Sequence, residues 1–408
     1  MQIRPILAAL RHHKAGTFLI AMQIALTLAI VCNALFIIHG RLTRLAQPSG
    51  VDEPNILVID NQWAGKPKTG EIASMMAADL DTLRRIPGVA DAYATNTYPL
   101  SNSGMSFGIG HSPDKHSYQT ATAIYFADDH ALSALGLKLT AGRNFRPDEI
   151  GQIDAHGDIR PGAIIITSEL AKELFPDGSA VGKVAYISAQ PSTIIGVVER
   201  LRTPWVYTNM WNWAGNSTLI PYRQLVATTQ YVVRVQPGQL DDVVRHVRAA
   251  LYAANRMRVI SPKDGVRTYA EVRAAAYNGD RGMVILMSAI SVILLLITGA
   301  GIVGLTSFWV GQRRKQIGVR RALGAKQSDI LSYFLTENLL IGLAGVVIGG
   351  VLAIGLNLWL IKQFEMERLA PGYVIAGVVT LLLLGQAAVL APALRASHVP
   401  PVEATRSV

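Results

Sequence analysis

Residues 283–330 read MVILMSAISVILLLITGAGIVGLTSFWVGQRRKQIGVRRALGAKQSDI, and this stretch sets the architecture of the chain. Its first part, Met283 to Val310, carries no charged side chain. About 20 apolar residues in a helix span the roughly 30 Å hydrocarbon core of a bilayer, and a helix satisfies every backbone polar group there. The stretch therefore predicts a membrane-spanning helix that runs directly into a basic segment.

Three further apolar runs meet the same criterion, so the chain of 408 residues is predicted to be a membrane protein with four transmembrane α-helices. These runs are residues 17–38, 333–361 and 373–394. The first run could instead belong to a cleaved signal peptide, but it is longer than such regions usually are and no small-x-small cleavage site follows it. We therefore expect a retained helix after a basic N-terminal segment, residues 1–16.

The distribution of charge predicts the orientation of these helices. Outside residues 40–281 there are 13 Lys and Arg residues but only 5 Asp and Glu residues, which accounts for +8 of the net charge of +10. Because Lys and Arg are enriched on the cytoplasmic side of membrane helices, residues 311–330 and both termini, including 395–408, are predicted to be cytoplasmic. The region 39–282 then lies on the opposite side. Charge that flanks membrane helices, rather than covering a soluble face, argues against nucleic-acid binding.

Residues 39–282 are predicted to form a mixed α/β domain inserted between the first and second helices. Runs of β-branched residues indicate strands, and apolar residues at helical spacing indicate helices. The predicted strands are 55–59, 163–166, 193–198 and 231–235. The predicted helices are 72–86, a short helix from Ser168, and 240–252. Polar, glycine-containing stretches near 99–119 and 146–162 are predicted to be loops.

The sequence lacks the common motifs of nucleotide binding and of zinc or dithiol chemistry. It has no G-x-x-x-x-G-K-[S/T] loop and no H-E-x-x-H or C-x-x-C motif. His12 and His13 lie in the basic tail, His111 and His116 lie in a predicted loop, and the single cysteine, Cys32, lies within the first apolar run. We therefore expect this chain to hold no metal or cofactor and to be non-catalytic.

An aromatic segment within the α/β domain has two interpretations. It contains Trp205, Tyr207, Trp211 and Trp213. These rings could pack beneath a long loop, or they could form a docking surface for another protein, since Trp and Tyr are enriched at interface hot spots. The sequence leaves both interpretations open.

The third apolar run carries two features that bear on helix packing. Gly342, Gly345 and Gly349 form a small-residue pattern that lets helix backbones approach closely in lipid. Glu337 is the one carboxylate within a predicted span. Such a group can act in a proton relay, or it can pair with a basic residue nearby. Its position close to the cytoplasmic end favours a pair with the preceding basic segment.

The basic segment itself has a pattern beyond its charge. Residues 313–330 hold six cations and one anion. We expect Gly318 and Gly324 to interrupt the helix and Ser328 to cap the next one. The remaining pattern is a small apolar set: Ile317, Val319, Leu323 and Ile330. A short amphipathic helical element is therefore predicted between the second and third membrane helices.

Five segments of the C-terminal region carry a family resemblance: 301–305, 313–325, 337–349, 392–397 and 401–404. They resemble FtsX-type permease domains, which include those of the macrolide exporter MacB and of lipoprotein-release permeases. Thr405 stands where the family usually has leucine. Segments 135–145, 170–183 and 194–198 are similar to the MacB-type periplasmic core.

The resemblance implies that residues 311–330 are the element on which an ABC ATPase acts. MacB has a fused ATPase, whereas this sequence has no nucleotide-binding loop. ATP and Mg²⁺ are therefore expected on a separate ATPase subunit. Closure of that ATPase would move the helices and reshape the periplasmic domain, a mechanism called mechanotransmission, with the first two helices extended as a stalk. The residues expected to couple to the ATPase are Arg313, Arg314, Lys315, Ile317, Arg320, Arg321, Gly324, Lys326 and Asp329.

The resemblance also implies partners and a location. A bacterial inner-membrane dimer with an identical or related permease chain is expected, together with membrane lipid, a periplasmic adaptor and an outer-membrane channel. The expected function is export of an antimicrobial, a peptide or another periplasmic substrate. Two alternatives stay open, namely a regulatory FtsX-like protein that activates periplasmic enzymes and a lipoprotein-release permease.

Overall fold

The structure is a computed structural model that describes residues 14–114, 118–206, 212–364 and 368–400, without the side chain of Phe364. The helices in these ranges are α1 (Lys14–Leu45), α2 (Thr69–Arg85), α3 (Ala131–Leu135), α4 (Ser168–Leu174), α5 (Leu240–Ala254), α6 (Tyr269–Ala276), α7 (Asn278–Gln312), α8 (Arg314–Ala322), α9 (Gln327–Phe364) and α10 (Pro371–Ser397). The strands are β1 (Ile56–Trp63), β2 (Val89–Thr95), β3 (Met105–Gly110), β4 (Thr120–Phe126), β5 (Leu139–Gly142), β6 (Gly151–Ile153), β7 (Ala163–Thr167), β8 (Val184–Ile187), β9 (Gln190–Val198), β10 (Ser217–Ile220), β11 (Tyr222–Gln224), β12 (Thr228–Val235), β13 (Arg258–Val259) and β14 (Val266–Thr268).

The chain divides into two compact units. One comprises residues 1–46 and 279–408 and is called the membrane unit below, and the other, residues 47–278, is called the α/β unit. Four helices, α1, α7, α9 and α10, are long and apolar enough to cross a membrane. The α/β unit is inserted between the first and second of them, as the sequence predicts.

All four membrane helices are longer than the apolar runs that predict them. The first helix runs on to Leu45 and α7 begins at Asn278, where Arg41 forms an ion pair with Asp280. A helix does not end where hydropathy falls, because its backbone hydrogen bonds continue until a capping or breaking residue intervenes. The helical continuations of α1 and α7 agree with the extended first and second helices that the family resemblance implies.

Close backbone contact holds α9 against α1. A Cβ atom at Gly345 would lie 2.9 Å from the carbonyl oxygen of Ala21, and one at Gly349 would lie 2.8 Å from that of Ala25. Gly342 faces the other way, where its Cβ would lie 3.1 Å from Leu382 of α10. The predicted glycine pattern therefore serves two helix contacts rather than one.

Polar side chains add hydrogen bonds within the membrane unit. Thr27 and Thr298 join α1 to α7 through their hydroxyl oxygens, which are 2.8 Å apart. Asn33 donates to the carbonyl oxygen of Ala353, 3.1 Å away, and so joins α1 to α9. Such bonds specify which helix faces meet, since lipid provides no competing partners.

A five-stranded sheet forms one half of the α/β unit. Its order is β13-β1-β12-β2, with β14 also paired to β1, and α2 and α5 bury apolar residues against it. A buried ion pair lies at its edge, where Arg258 donates to both carboxylate oxygens of Asp79 at 2.8 and 2.6 Å. Tyr231 donates to the same carboxylate at 2.7 Å, so this buried charge is fully compensated.

The second sheet of the α/β unit closes on itself. Its order is β5-β9-β7-β10-β4-β3-β8, and β8 also pairs with β9, which completes a six-stranded ring around an apolar core. A loop ion pair lies next to β5, where Arg143 contacts both carboxylate oxygens of Glu149 at 2.8 and 2.5 Å. The hydrogen bonds from Arg143 are the largest cause that lowers the pKa of Glu149, to about 2.

The predicted elements of the α/β unit are present, and the two predicted loops are wrong in part. Each predicted strand and helix overlaps an observed element within a few residues. However, β3 lies within 99–119 and β6 within 146–162. Both strands are ordered by pairing, β3 with the following strand β4 and β6 with the distant strand β11, which local composition does not reveal.

Candidate coupling site

The basic segment forms a short helix that follows α7 with a single break. At the break, the amide of Arg313 still donates to Trp309 at 3.0 Å, and Ile317 donates back to Arg313 at 2.9 Å. The predicted interruption at Gly318 is wrong, because this residue lies inside α8 and is buried. The break lies at Arg313 instead.

The turn after α8 is made by Gly324, as predicted. Its φ is +96°, a left-handed conformation in which glycine avoids the steric penalty of a side chain. Helix α9 then begins at Gln327, where the backbone N–H of Lys326 donates to the Asp329 carboxylate at 2.9 Å. The predicted cap at Ser328 is therefore wrong, and Asp329 takes that role.

The small apolar set of the segment is split between two faces. Ile317 and Ile330 are buried in the core of the membrane unit, together with Phe334 of α9. Leu323 and Val319 point the other way and are 83% and 44% exposed. One face of α8 is thus anchored in the membrane unit, while the opposite face presents apolar side chains.

A buried ion pair fixes the start of the segment to α9. Arg313 Nη1 lies 3.1 and 2.9 Å from the two carboxylate oxygens of Glu337 and 3.4 Å from the hydroxyl of Tyr333. The side chains of Arg313 and Glu337 are 11% and 3% exposed. The pair expected from the sequence, between Glu337 and the preceding basic segment, is therefore present in the structure.

A groove of about 290 Å³ lies between α8 and the first turns of α9. Its walls include Arg313, Arg320, Asp329 and Tyr333, and the guanidinium of Arg320 lies 5.3 Å from the Tyr333 ring centroid. A guanidinium over an aromatic face is attracted by the negative face of the ring. This contact positions Arg320 while leaving it exposed.

The remaining cations predicted to contact an ATPase lie in the same segment. Arg314, Lys315 and Lys326 are exposed, and Arg321 is half-buried. Together with Leu323 and Val319 they form what we call the coupling surface. The sequence alone does not show that Leu323 is exposed on this surface, because its pattern does not distinguish Leu323 from the buried Ile317.

The aromatic segment of the α/β unit is described only in part. Trp205 and Trp213 are half-buried and pack edge to face, with ring centroids 5.9 Å apart. Tyr207 and Trp211 lie outside the described residues. The two rings contact each other, and both interpretations of the segment, packing beneath a loop and docking of another protein, stay predictions.

Two protein families match this chain. The MacB-like periplasmic core domain family matches residues 18–250, and the FtsX-like permease C-terminal family matches residues 288–401. Within the described residues, no group of three His, Cys, Asp or Glu side chains could hold a metal ion.

Similar proteins match nearly the whole chain. The macrolide export ATP-binding/permease protein MacB of Acinetobacter baylyi is 27% identical over 98% of this chain and 58% of its own length. A MacB of Paracoccus denitrificans is 25% identical over the same shares. The chain thus spans about three fifths of the length of these relatives. The uncharacterized ABC transporter permease YknZ of Bacillus subtilis is 23% identical over 99% of this chain and 98% of YknZ.

Two solved structures also match, at low similarity. The extracellular domain of YknZ has a TM-score of 0.32 and 15% identity over 52% of this chain and 98% of its own. The periplasmic region of MacB from Actinobacillus actinomycetemcomitans has a TM-score of 0.35 and 14% identity over 58% of this chain and 98% of its own. On the family matches, which cover most of its length, this chain belongs to the MacB/FtsX-type family of ABC transporter permeases, multi-pass proteins of the inner membrane.

Proposed function

We propose that this chain is the permease subunit of an ABC exporter and that the coupling surface docks on a separate ATPase. The observation that carries the proposal is the two-faced helix α8. Its inner face is buried with α9, and its outer face presents Leu323 among exposed cations. An 83% exposed leucine on a basic surface is suited to insert into an apolar pocket with an acidic rim.

The anchoring of α8 makes it suited to transmit a displacement. A push on the coupling surface reaches α9 through the Arg313–Glu337 pair and through Ile317, which is packed in the core of the membrane unit. Packed interiors deform little, so a movement of α8 is expected to move α9 with it. Because α9 contacts α1 through Gly345 and Gly349, the movement continues to α1.

In this proposal the ATPase binds ATP and Mg²⁺, and this chain contributes no catalytic group. Hydrolysis moves the membrane helices, and their movement changes the shape of the α/β unit in the periplasm. The MacB relatives are named macrolide export proteins, which supports export as the function. Both termini are cytoplasmic in this arrangement, two permease chains form a dimer, and an adaptor and an outer-membrane channel complete the path.

The proposal is tested by the substitution Leu323→Glu. Because the side chain is exposed, the variant should insert and fold like the parent. A buried apolar anchor at an interface contributes about 2 kcal/mol or more, so affinity for the ATPase should fall by roughly 30-fold. The measurement is co-purification of an ABC ATPase co-expressed with this chain, followed by titration of the two purified proteins.

Met257→Glu provides the matched control. Met257 is 60% exposed and lies in the α/β unit, so the same change there should leave ATPase binding unaltered. Undiminished ATPase binding by the Leu323→Glu variant would count against the proposal, as would equal losses in both variants.

A further inference from the structure

The groove between α8 and the first turns of α9 is distinct from the coupling surface. Within the described residues, no residue of the coupling surface lines the groove. The outer face of α8 and the groove are thus two separate features of one segment. Docking of an ATPase on the coupling surface does not account for the groove.

The groove lies at the depth where the hydrocarbon of a bilayer gives way to the headgroups. The uncharged run of α7 ends at Val310, and the apolar run of α9 begins at Tyr333. The walls of the groove are formed by the chain between these two points and by the first turns of α9, including Tyr333 itself. Tyrosine is enriched at this depth in membrane proteins. Phospholipid headgroups therefore surround the membrane unit at the level of the groove.

The walls of the groove carry two opposite charges that do not pair with each other. Arg320 lies on the α8 side and Asp329 on the α9 side, and both residues are exposed. Among the described residues, neither side chain has a partner in an ion pair. The third charged residue of the walls, Arg313, is neutralised by Glu337. The groove therefore offers one unpaired cation, one unpaired anion and no net charge.

The cation is held at the wall of the groove. The Arg320 guanidinium lies 5.3 Å from the centroid of the Tyr333 ring, and this ring lines the groove. Contact with the face of a ring orients a guanidinium but leaves its N–H donors without an oxygen acceptor. These donors match the oxygens of a phosphate group.

The anion is held by its role as a helix cap. One carboxylate oxygen of Asp329, Oδ2, accepts from the backbone N–H of Lys326 at 2.9 Å, which fixes the side chain at the start of α9. The other oxygen, Oδ1, accepts no hydrogen bond from the described residues. A carboxylate oxygen of this kind can accept from a primary ammonium group, which has three N–H donors.

We propose that this groove binds the headgroup of a zwitterionic phospholipid with a primary amine, phosphatidylethanolamine. Its phosphate would lie at Arg320 and its ammonium at Asp329. The buried side chains of Ile317, Ile330 and Phe334 provide an apolar floor for the start of the acyl chains. An anionic headgroup without an amine would instead place a like charge beside Asp329, and a trimethylated amine has no N–H to donate to it. Charge and hydrogen bonding thus distinguish among the common phospholipids.

Binding is measured by native mass spectrometry of the full chain in dodecyl maltoside, a non-ionic detergent. Dioleoyl phosphatidylethanolamine, phosphatidylcholine or phosphatidylglycerol is added over a range of concentrations, and the bound lipids are counted from the mass to give the Kd of the first one. Phosphatidylethanolamine should bind about threefold or more tightly than either of the others, the difference expected for an exposed charged contact.

Three variants separate the contributions of the two charges. Arg320→Gln should raise the Kd of phosphatidylethanolamine and of phosphatidylglycerol alike by about fivefold, because both lipids carry the phosphate. Asp329→Asn should raise the Kd of phosphatidylethanolamine alone, by about threefold. Asparagine caps a helix as well as aspartate does, so this change keeps the start of α9. Arg395→Gln, at an exposed arginine in the last turn of α10, is the matched control and should leave each Kd unchanged.

The proposal is overturned if phosphatidylcholine or phosphatidylglycerol binds as tightly as phosphatidylethanolamine. It is also overturned if the Arg320 and Asp329 variants bind phosphatidylethanolamine as the parent does, since the lipid would then lie elsewhere on the chain. The measurement contains no ATPase and does not rest on the proposed coupling function. A chain that binds an ATPase but does not prefer this lipid would keep the coupling function and lose only this site.

Discussion

The buried pair between Arg313 and Glu337 provides the strongest test of how the coupling segment is attached. Glu337→Gln removes the carboxylate that accepts from Arg313 at 3.1 and 2.9 Å and leaves a cation in a buried position. Removal of one partner from such a pair destabilises a protein by about 3–5 kcal/mol. Because 11% of the Arg313 side chain is exposed, the long side chain can in part reach water, and we expect the lower end of this range. A loss of about 3 kcal/mol shifts the opening equilibrium roughly 150-fold.

The single cysteine of the chain provides the assay. Cys32 is fully buried in α1, in the same core as Ile317 and Phe334, so a thiol reagent reaches it only when the membrane unit opens. Its modification rate by a maleimide in dodecyl maltoside, measured as sodium dodecyl sulfate is added, reports the free energy of that opening. The Glu337→Gln variant should open at a lower fraction of the denaturing detergent.

A double-substitution cycle separates the ion pair from a general loss of packing. Substituting both Arg313 and Glu337 by Gln removes the unpaired charge, so the double variant should be more stable than Glu337→Gln alone. Asp242→Asn, which removes an exposed pair on α5, serves as the control, with a loss of less than about 1 kcal/mol. Additive effects of the two Gln substitutions would refute the inference that this pair attaches α8 to α9.

Three further predictions concern packing, buried charge and pH. Gly349→Val should destabilise the membrane unit by about 2 kcal/mol or more in the Cys32 assay because its side chain would meet the backbone of α1. Gly350→Val should change little, because a Cβ there would lie 4.0 Å from Val374, an ordinary contact distance. Equal effects of the two substitutions would contradict this. Asp79→Asn should destabilise the α/β unit by about 3–5 kcal/mol in thermal unfolding, because it breaks a fully buried ion pair with Arg258. The control Asp81→Asn, which breaks an exposed pair, should cost less than about 1 kcal/mol. A small loss of stability in the Asp79 variant would show that the buried pair is dispensable. The pKa of Glu149 is lowered to about 2 in the fold, so its stabilising contribution is present above its ordinary pKa near 4.5 and is lost as the pH falls towards 2. Parent and Glu149→Gln melting temperatures should therefore differ at pH 6 and converge at pH 2, and a constant difference would exclude the ion pair as its source.

The membrane helices could be predicted from the sequence because their signal is local. An uncharged run such as Met283 to Val310 is too long for any other common element. The same holds for β-branched runs such as Ile164 to Ile166, which form a strand in the closed sheet. The strand β3, with the sequence MSFGIG, is short and contains two glycines, and its order comes from pairing with β4 and β8. Closure of the sheet depends on such distant pairings, which no local pattern encodes.

The coupling segment shows the same division between local and tertiary information. Its charge, its turn at Gly324 and the pairing of Glu337 follow from local chemistry and topology. The inward direction of Ile317 and the outward direction of Leu323 do not, because both are branched apolar residues, one on the nine-residue helix α8 and the other directly after it. The direction of each is decided by where Phe334 of α9 packs against α8. A binding surface of this kind is recognised only when the position of α9 relative to α8 is known.

The length of α9 links the two halves of the proposed mechanism. Its 38 residues extend over about 57 Å, well beyond the roughly 30 Å hydrocarbon core of a bilayer. Glu337 lies near its start, and the glycines at 345 and 349 lie about two and three turns further on. The attachment of α8 and the contact with α1 are thus made by one continuous helix, so a displacement does not have to cross a loop. Since α1 leads in sequence into the α/β unit at Gln47, a variant that loosens either contact should keep ATPase binding but uncouple hydrolysis from changes in the α/β unit.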